Sequence, residues 1–281
     1  HCHYCLRMHL FGFILLSSNL LCYTLAIIIT KCINDKNVAL TFDDGPSIKT
    51  TNKLLDLLES YGVKGTFHVV TKHFNYPEVQ NIMKEIISRG HVLGYRVEAE
   101  WELVDVSKEG VQGAVEYRLE MIKKASGKKP KFVRTSYNAT DLVKDSLVAS
   151  GLIVTVPNFE TYDYKSDFST DSMINRFEST PLRSVISVQR EFSSDLFETT
   201  AKFIDYLNVN NFKIVTLQEC TGIDEIYFDE KPISPFKPIK NDEVTEVENL
   251  EEYSTSGATL TVISYTSLYS FCLLYLAVQL L

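Results

Sequence analysis

The chain has 281 residues, 45% of them hydrophobic, which is enough to build one sizeable domain with a full core and extensions at its ends. Its net charge of −8, with no basic cluster interleaved with aromatic residues, argues against a surface for nucleic acids or other polyanions.

Arg7 precedes an uncharged run from Leu10 to Ile29, the layout of a secretory signal or signal anchor. Residues 1–31 are therefore expected to be such a segment. Residues 32–222 are expected to form the folded domain. Residues 223–255 are acidic, hold Pro232, Pro235 and Pro238, and show little apolar periodicity, which reads as an exposed stalk. In residues 256–281, small Ser256-Gly257-Ala258, a partly polar spacer and an apolar stretch from Leu268 to Leu281 match a lipid-anchor signal, with a transmembrane tail as the alternative. Cys2, Cys5, Cys22 and Cys272 fall in these end segments, leaving Cys32 and Cys220 in the domain. In an oxidising compartment such a pair suggests a disulfide joining the segment before the first strand to the segment after the last; two unrelated thiols are the alternative. Asn138-Ala139-Thr140 is a glycosylation acceptor sequence.

Within the domain, strand-like and helix-like segments alternate. Apolar runs at Val38 to Phe42, Thr66 to Val70, His91 to Tyr95, Phe132 to Val133, Leu152 to Val156, Ser184 to Val188 and Lys213 to Leu217 read as strands. Leu54, Leu55, Leu57, Leu58 and Tyr61 mark a first helix; Val79, Ile82, Met83, Ile86 and Ile87 a second; Ala114, Val115, Leu119 and Ile122 a third. Shorter helices are predicted near Leu142 to Ser150, Ser172 to Phe177 and Asp195 to Leu207. Repeated βα units imply a parallel sheet, and the absence of a dinucleotide glycine signature favours an incomplete (β/α)7 barrel over a doubly wound sheet.

Active sites of β/α barrels lie at the C-terminal ends of the strands. There this chain gathers Asp43 and Asp44, then Arg96, Glu98 and Glu100, Arg134 to Tyr137, Glu160 and Asp163, and Gln189 and Arg190. The stretch Val38 to Ser47 is the most pointed: a buried-type strand ends at two carboxylates and a Gly-Pro turn. Taken alone, Asp-Asp-Gly-Pro also reads as an ordinary polar turn.

Thr41-Phe42-Asp43-Asp44-Gly45-Pro46-Ser47, Gly90-His91-Val92-Leu93-Gly94 and Leu217-Gln218-Glu219-Cys220 together resemble the polysaccharide deacetylases of the NodB-homology type, fungal chitin deacetylases among them. The resemblance covers roughly Val38 to Gly222. It implies metal-assisted amide hydrolysis in which Asp43 stands at the position of the general base and Asp44 at that of a metal ligand. It also supports pairing of Cys32 with Cys220.

The same resemblance marks departures. Where the family carries two histidine ligands four residues apart, this chain has Arg96 and Glu100, and a guanidinium has no lone pair to give a metal. Arg134-Thr135-Ser136-Tyr137 stands for Arg-x-Pro-Tyr, and Glu160-Thr161-Tyr162-Asp163-Tyr164 for Asp-x-x-Asp-Trp. Ser187-Val188-Gln189 stands for Leu-x-His, so Gln189 replaces the histidine acid, a loss worth about 10²–10⁴ in rate. Arg134 and Asp163 are kept as catalytic-rim residues, and Tyr137, Tyr164 and Trp101 are expected to contact sugar. His68, His73 and His91 read as structural or surface residues. Arg96 is expected beside Asp44 in place of a cation, with an attraction on the order of 4 kcal/mol before desolvation.

The zinc or other divalent metal that the family uses is therefore not expected here. The leading expectation is a catalytically impaired or inactive, membrane-anchored surface or cell-wall protein that retains binding to chitin or a related N-acetylglucosamine polysaccharide. The alternatives are an active chitin N-deacetylase using an unusual cation through Asp44 and Glu100, and a structural or adhesive surface protein without glycan binding.

Overall fold

The computed structural model describes residues 28–72, 74–97, 106–136, 138–181 and 183–228. Strand and helix alternate through them: β1 (Ile28–Ile29), β2 (Asn37–Asp43), α1 (Thr51–Ser60), β3 (Thr66–Val69), α2 (Pro77–Ser88), β4 (Val92–Arg96), α3 (Lys108–Ser126), β5 (Phe132–Arg134), α4 (Asp141–Ala149), β6 (Ile153–Thr155), β7 (Phe159–Glu160), α5 (Thr170–Ser179), β8 (Val185–Arg190), α6 (Leu196–Val209), β9 (Lys213–Val215) and α7 (Leu217–Thr221). The order across the sheet is β1-β6-β5-β4-β3-β2-β8-β7, with β9 added to β2, and every strand pair is parallel. This is the curled, incomplete β/α barrel that the alternation implies.

β2 is the centre of the sheet. Every one of its residues is buried, and it pairs with β3 at Thr41–Asp43, β8 at Val38–Asp43 and β9 at Asn37–Ala39. Covered on both faces, it needs a near-continuous apolar sequence, and Val38-Ala39-Leu40 supplies one up to the acids at its end. The helices turn their apolar stripes onto the sheet, Leu54, Leu55 and Leu58 from α1 and Val79, Ile82, Met83 and Ile86 from α2. Local chemistry fixes the helix ends. The Ser107 hydroxyl accepts from Gly110 N and the Thr140 hydroxyl from Val143 N, and α3 stops at Gly127 with φ of 83°.

Three features differ from the sequence reading. The packing runs past residues 32 and 222, since Ile28 and Ile29 pair with Val154 and Thr155 of β6, and Ile226 and Tyr227 are buried. Tyr227 Oη accepts a hydrogen bond from Leu93 N at 3.1 Å, which ties this segment to β4. The strand expected over Lys213 to Leu217 ends at Val215, because Thr216 and Glu219 form a reciprocal capping box that starts α7. The two-residue strand β7 carries too short a pattern to be seen in sequence. The signal, the anchor and residues 229–255 of the expected stalk lie outside the described residues, apart from Ile28 to Lys31 at the signal's end.

A disulfide joins Cys32 to Cys220 across a separation of 188 residues, so it closes nearly the whole domain as one loop. Loops of that length lose much chain entropy when cross-linked, and the bridge is expected to contribute about 2–5 kcal/mol. Urea unfolding with and without reductant checks this: reduction should lower the midpoint clearly, and Cys32→Ala/Cys220→Ala should unfold like the reduced protein.

Candidate functional site

The parallel register brings Asp43 level with His68 on β3 and Arg190 on β8, His68 level with Gly94 on β4, and Arg96 level with Arg134 and then Thr155. Partners at one level of a sheet share a face, so these side chains meet at the C-terminal mouth of the barrel. After β2 the chain turns sharply. Asp44 takes a left-handed φ of 70°, which an Asp tolerates, and its N–H donates to His68 O at 3.2 Å. Gly45 O accepts from Val70 N at 2.8 Å. A side chain at position 45 would run into the Glu191 carboxylate, whose Oε1 lies 1.8 Å from where a Cβ would stand. A side chain at position 45 would therefore force the buried Glu191 carboxylate out of its place.

The mouth is a lattice of carboxylates and guanidinium groups. Arg96 Nε stands 3.7 Å from Asp43 Oδ2 and 3.9 Å from Asp44 Oδ1. Arg134, itself buried, places Nε 3.7 Å from Asp43 Oδ1 and donates from Nη2 to Thr41 Oγ1 at 2.9 Å. Arg190 Nε lies 3.5 Å from Asp44 Oδ2, and its two terminal nitrogens donate to both oxygens of Glu160 at 2.9 and 3.1 Å. The Arg190 guanidinium also sits 5.3 Å from the ring centroid of the half-exposed Tyr164. Its backbone N–H donates to Asp163 Oδ2 at 2.7 Å.

Burial and charge pull these acids in opposite directions. Burial raises the Asp43 carboxyl, but Arg134, His68 and Arg96 together outweigh it and hold the group well below the usual carboxylate range. Asp44 is raised by burial and by the neighbouring Asp43, against Arg96 and Arg190. Burial pushes Asp163 up to about 6, and Glu191, fully enclosed beneath the loop, up to about 8. Glu191 accepts a hydrogen bond from the Thr51 hydroxyl, which in turn accepts from Ser47 N at 2.7 Å, so the loop is pinned from below.

His68 fills the space beneath Asp43, with Nδ1 3.2 Å from Asp43 Oδ1 and Nε2 3.3 Å from Thr155 Oγ1. Burial, then Arg134, bring its pKa down to about 4, so it is neutral at neutral pH. Gly94 makes room for the ring, since a Cβ there would lie 2.7 Å from His68 Cδ2. His91 is also buried, and its Nδ1 accepts from Gly65 N at 3.0 Å, a structural role.

The structure thus gathers Asp43, Asp44, Arg96, Arg134, Glu160, Asp163, Tyr164 and Arg190 from the sequence-derived set, and adds His68 and Glu191. One expected residue does not join them. Gln189 pairs in register with Phe42 rather than Asp43, is fully buried, and its Oε1 accepts from Thr200 Oγ1 of α6 at 2.9 Å. Strand alternation turns it to the helix layer while Arg190, one residue on, faces the mouth. Only its place one residue away carries a signal in the sequence: Val188 and Arg190 have the two-residue spacing of one strand face. Asn138 is exposed, with Thr140 of its acceptor sequence serving as the α4 cap. Glu100, Trp101, Tyr137 and His73 lie outside the described residues.

The divalent metal implied by the resemblance does not fit the groups around Asp44. The nitrogens that approach its two oxygens belong to guanidinium groups, which cannot ligate. Among the described residues no three of His, Cys, Asp and Glu come together as metal ligands.

Residues 30–150 match the family model described as polysaccharide deacetylase. A chitin deacetylase from Colletotrichum lindemuthianum superposes with a TM-score of 0.66 at 25% identity, covering 72% of this chain and 96% of that one. In sequence over residues 30–150, and in fold over most of its described length, the chain is similar to polysaccharide deacetylases. The peptidoglycan-N-acetylglucosamine deacetylase of Bacillus cereus is 30% identical over 145 residues, 50% of this chain and 51% of that protein. A pseudoenzyme of the CE4 family from Bacillus anthracis shares the fold with a TM-score of 0.62 at 18% identity, over 69% of each chain. The chain spans about half the length of the first curated relatives it matches, 51% and 48%.

Within the domain, Glu191 gives the mouth a pH dependence. Its folded pKa of about 8 lies above the ordinary 4.5, so between those values the native state holds a proton that the unfolded chain has released, and stability falls as pH rises through that window. Glu191→Gln should remove this fall. Urea titrations at pH 5 and pH 9 are expected to show the variant near wild type at the lower pH and more stable by a few kcal/mol at the higher.

Proposed function

We propose that this domain is a surface polysaccharide-binding protein on the deacetylase fold, in which metal-assisted amide hydrolysis has been lost. By motif resemblance Arg96 and Glu100 stand where the histidine ligands would be. The observation that carries the reading is the Arg96 guanidinium, 3.7 Å from Asp43 and 3.9 Å from Asp44: a fixed cation from the chain itself occupies the space between base and ligand positions. It preserves the charge balance of the mouth but supplies neither a Lewis acid nor an activated water. Asp43, held as a strongly stabilised anion by Arg134, His68 and Arg96, is too weak a base to take a proton from an unactivated water at neutral pH.

The ligand is a polymer of N-acetylglucosamine, chitin or a related wall polysaccharide. The names of the relatives in fungi and bacteria support that class. Tyr164, exposed and backed by Arg190, offers a flat apolar face for a sugar ring, and Trp101 and Tyr137 extend the expected contact set. Location at the cell surface or wall, held by a terminal membrane anchor, is supported by the Cys32–Cys220 disulfide, which belongs to oxidising compartments, and by the uncharged stretches at both ends of the sequence.

Purified protein is expected to carry no stoichiometric divalent metal and to release no acetate from chitin oligomers when zinc, cobalt, manganese or magnesium is added. It should nonetheless bind the oligomers, and Tyr164→Ala should weaken that binding about tenfold, the scale of ~1.4 kcal/mol for one aromatic platform. Acetate release by the unmodified protein, or a transition metal held at Asp44, overturns the reading.

A further inference from the structure

The Arg190 side chain touches three parts of the mouth. It stands 3.5 Å from the Asp44 oxygen that Arg96 does not approach, forks onto Glu160 at 2.9 and 3.1 Å, and lies over Tyr164. Its register partner is Asp43, so the pairing of β2 with β8 delivers it to the barrel mouth. Gln189, which the motif resemblance offers for that place, is committed to Thr200 on the opposite face.

We propose that Arg190 occupies the mouth position of β8 and acts as a second lock on Asp44, independent of Arg96, so that imidazoles at positions 96 and 100 do not by themselves open this carboxylate to a divalent cation. The geometry gives the reason. With Arg96 replaced, Asp44 Oδ1 is released, but Oδ2 still faces a guanidinium whose other nitrogens are clamped by Glu160 and whose plane is backed by Tyr164. An incoming cation meets a fixed positive charge across a single carboxylate. Removing that charge has two favourable consequences at once, because it frees Oδ2 and leaves the Glu160 carboxylate unneutralised beside the site.

This rests on the reading of Asp44 as a relinquished metal-ligand position, and the two are tested separately. Zinc affinity, measured by competition with a chromophoric chelator, is compared between Arg96→His/Glu100→His and the same protein with one further change. Adding Arg190→His or Arg190→Gln is expected to tighten zinc at least tenfold, whereas adding Arg190→Lys, which keeps the charge, or Gln189→His, which faces the helices, should change it less than twofold. Equal affinity with and without Arg190→Gln, or tightening by Gln189→His, overturns the inference. Stoichiometric zinc in the unmodified protein overturns the underlying reading instead. Should the Arg190 variants fail to fold, the native chain decides through nitrogen-15 spectra. Asp44→Asn must then shift the Nε–H resonance of Arg190 and leave the Gln189 amide group in place, and the opposite pattern defeats the proposal.

Discussion

The mouth of this barrel depends on one electrostatic requirement: two adjacent carboxylates at the end of a fully buried strand must be neutralised. Asp43 is 1% exposed and cannot rely on water for its charge. Leaving such a group unpaired costs several kcal/mol. Arg134 and Arg96 approach its oxygens, Arg96 and Arg190 approach those of Asp44, and Glu160 balances Arg190 in turn. Each charge is satisfied only because its neighbours are in place, so the strands that carry them, β2, β4, β5, β7 and β8, are coupled at one end of the sheet.

In the function proposed above, such a lattice is stable for the reason that makes it a poor hydrolytic centre. Catalysis by this arrangement would need an exchangeable cation with an open coordination position, and a base whose proton affinity suits neutral pH. Guanidinium groups, that of Arg190 forked onto Glu160, provide charge without a lone pair or an open coordination position. Below them, His68 and Glu191 take buried polar positions that keep the loop from relaxing: His68 braces Asp43 against Thr155, and Glu191 holds the turn at Gly45 through Thr51. At the rim Tyr164 is half-exposed, with the Arg190 guanidinium against its ring.

Much of this was legible in the chain. The run Val38 to Asp43 reads as a central strand because its burial on both faces removes any polar alternation, and the helical stripes at Leu54 to Leu58 and Val79 to Ile86 are strongly periodic. The placement of Arg96 beside Asp44 also follows from a motif anchored by Gly94. Less legible were elements whose cause is not local. Ile28–Ile29 become a strand only through Val154 and Thr155, and Phe159–Glu160 only through Ser187 and Val188. The expected role of Gln189 failed for a related reason. Ser187-Val188-Gln189-Arg190 contains neither the leucine nor the histidine that would anchor its motif, and a one-residue slip in a strand exchanges the two faces.

Sequence by itself determined the fold class, the resemblance to polysaccharide deacetylases and the guanidinium at position 96, because these depend on residue chemistry and on patterns within single elements. Tertiary structure decided which side chains meet. Only the register of β2 against β8 sends Arg190 to the mouth and Gln189 to Thr200, and only the fold brings the Glu191 carboxylate against Gly45. Those outcomes depend on contacts between residues more than a hundred positions apart, or on a strand face that alternates with every residue, and neither is written in a local pattern.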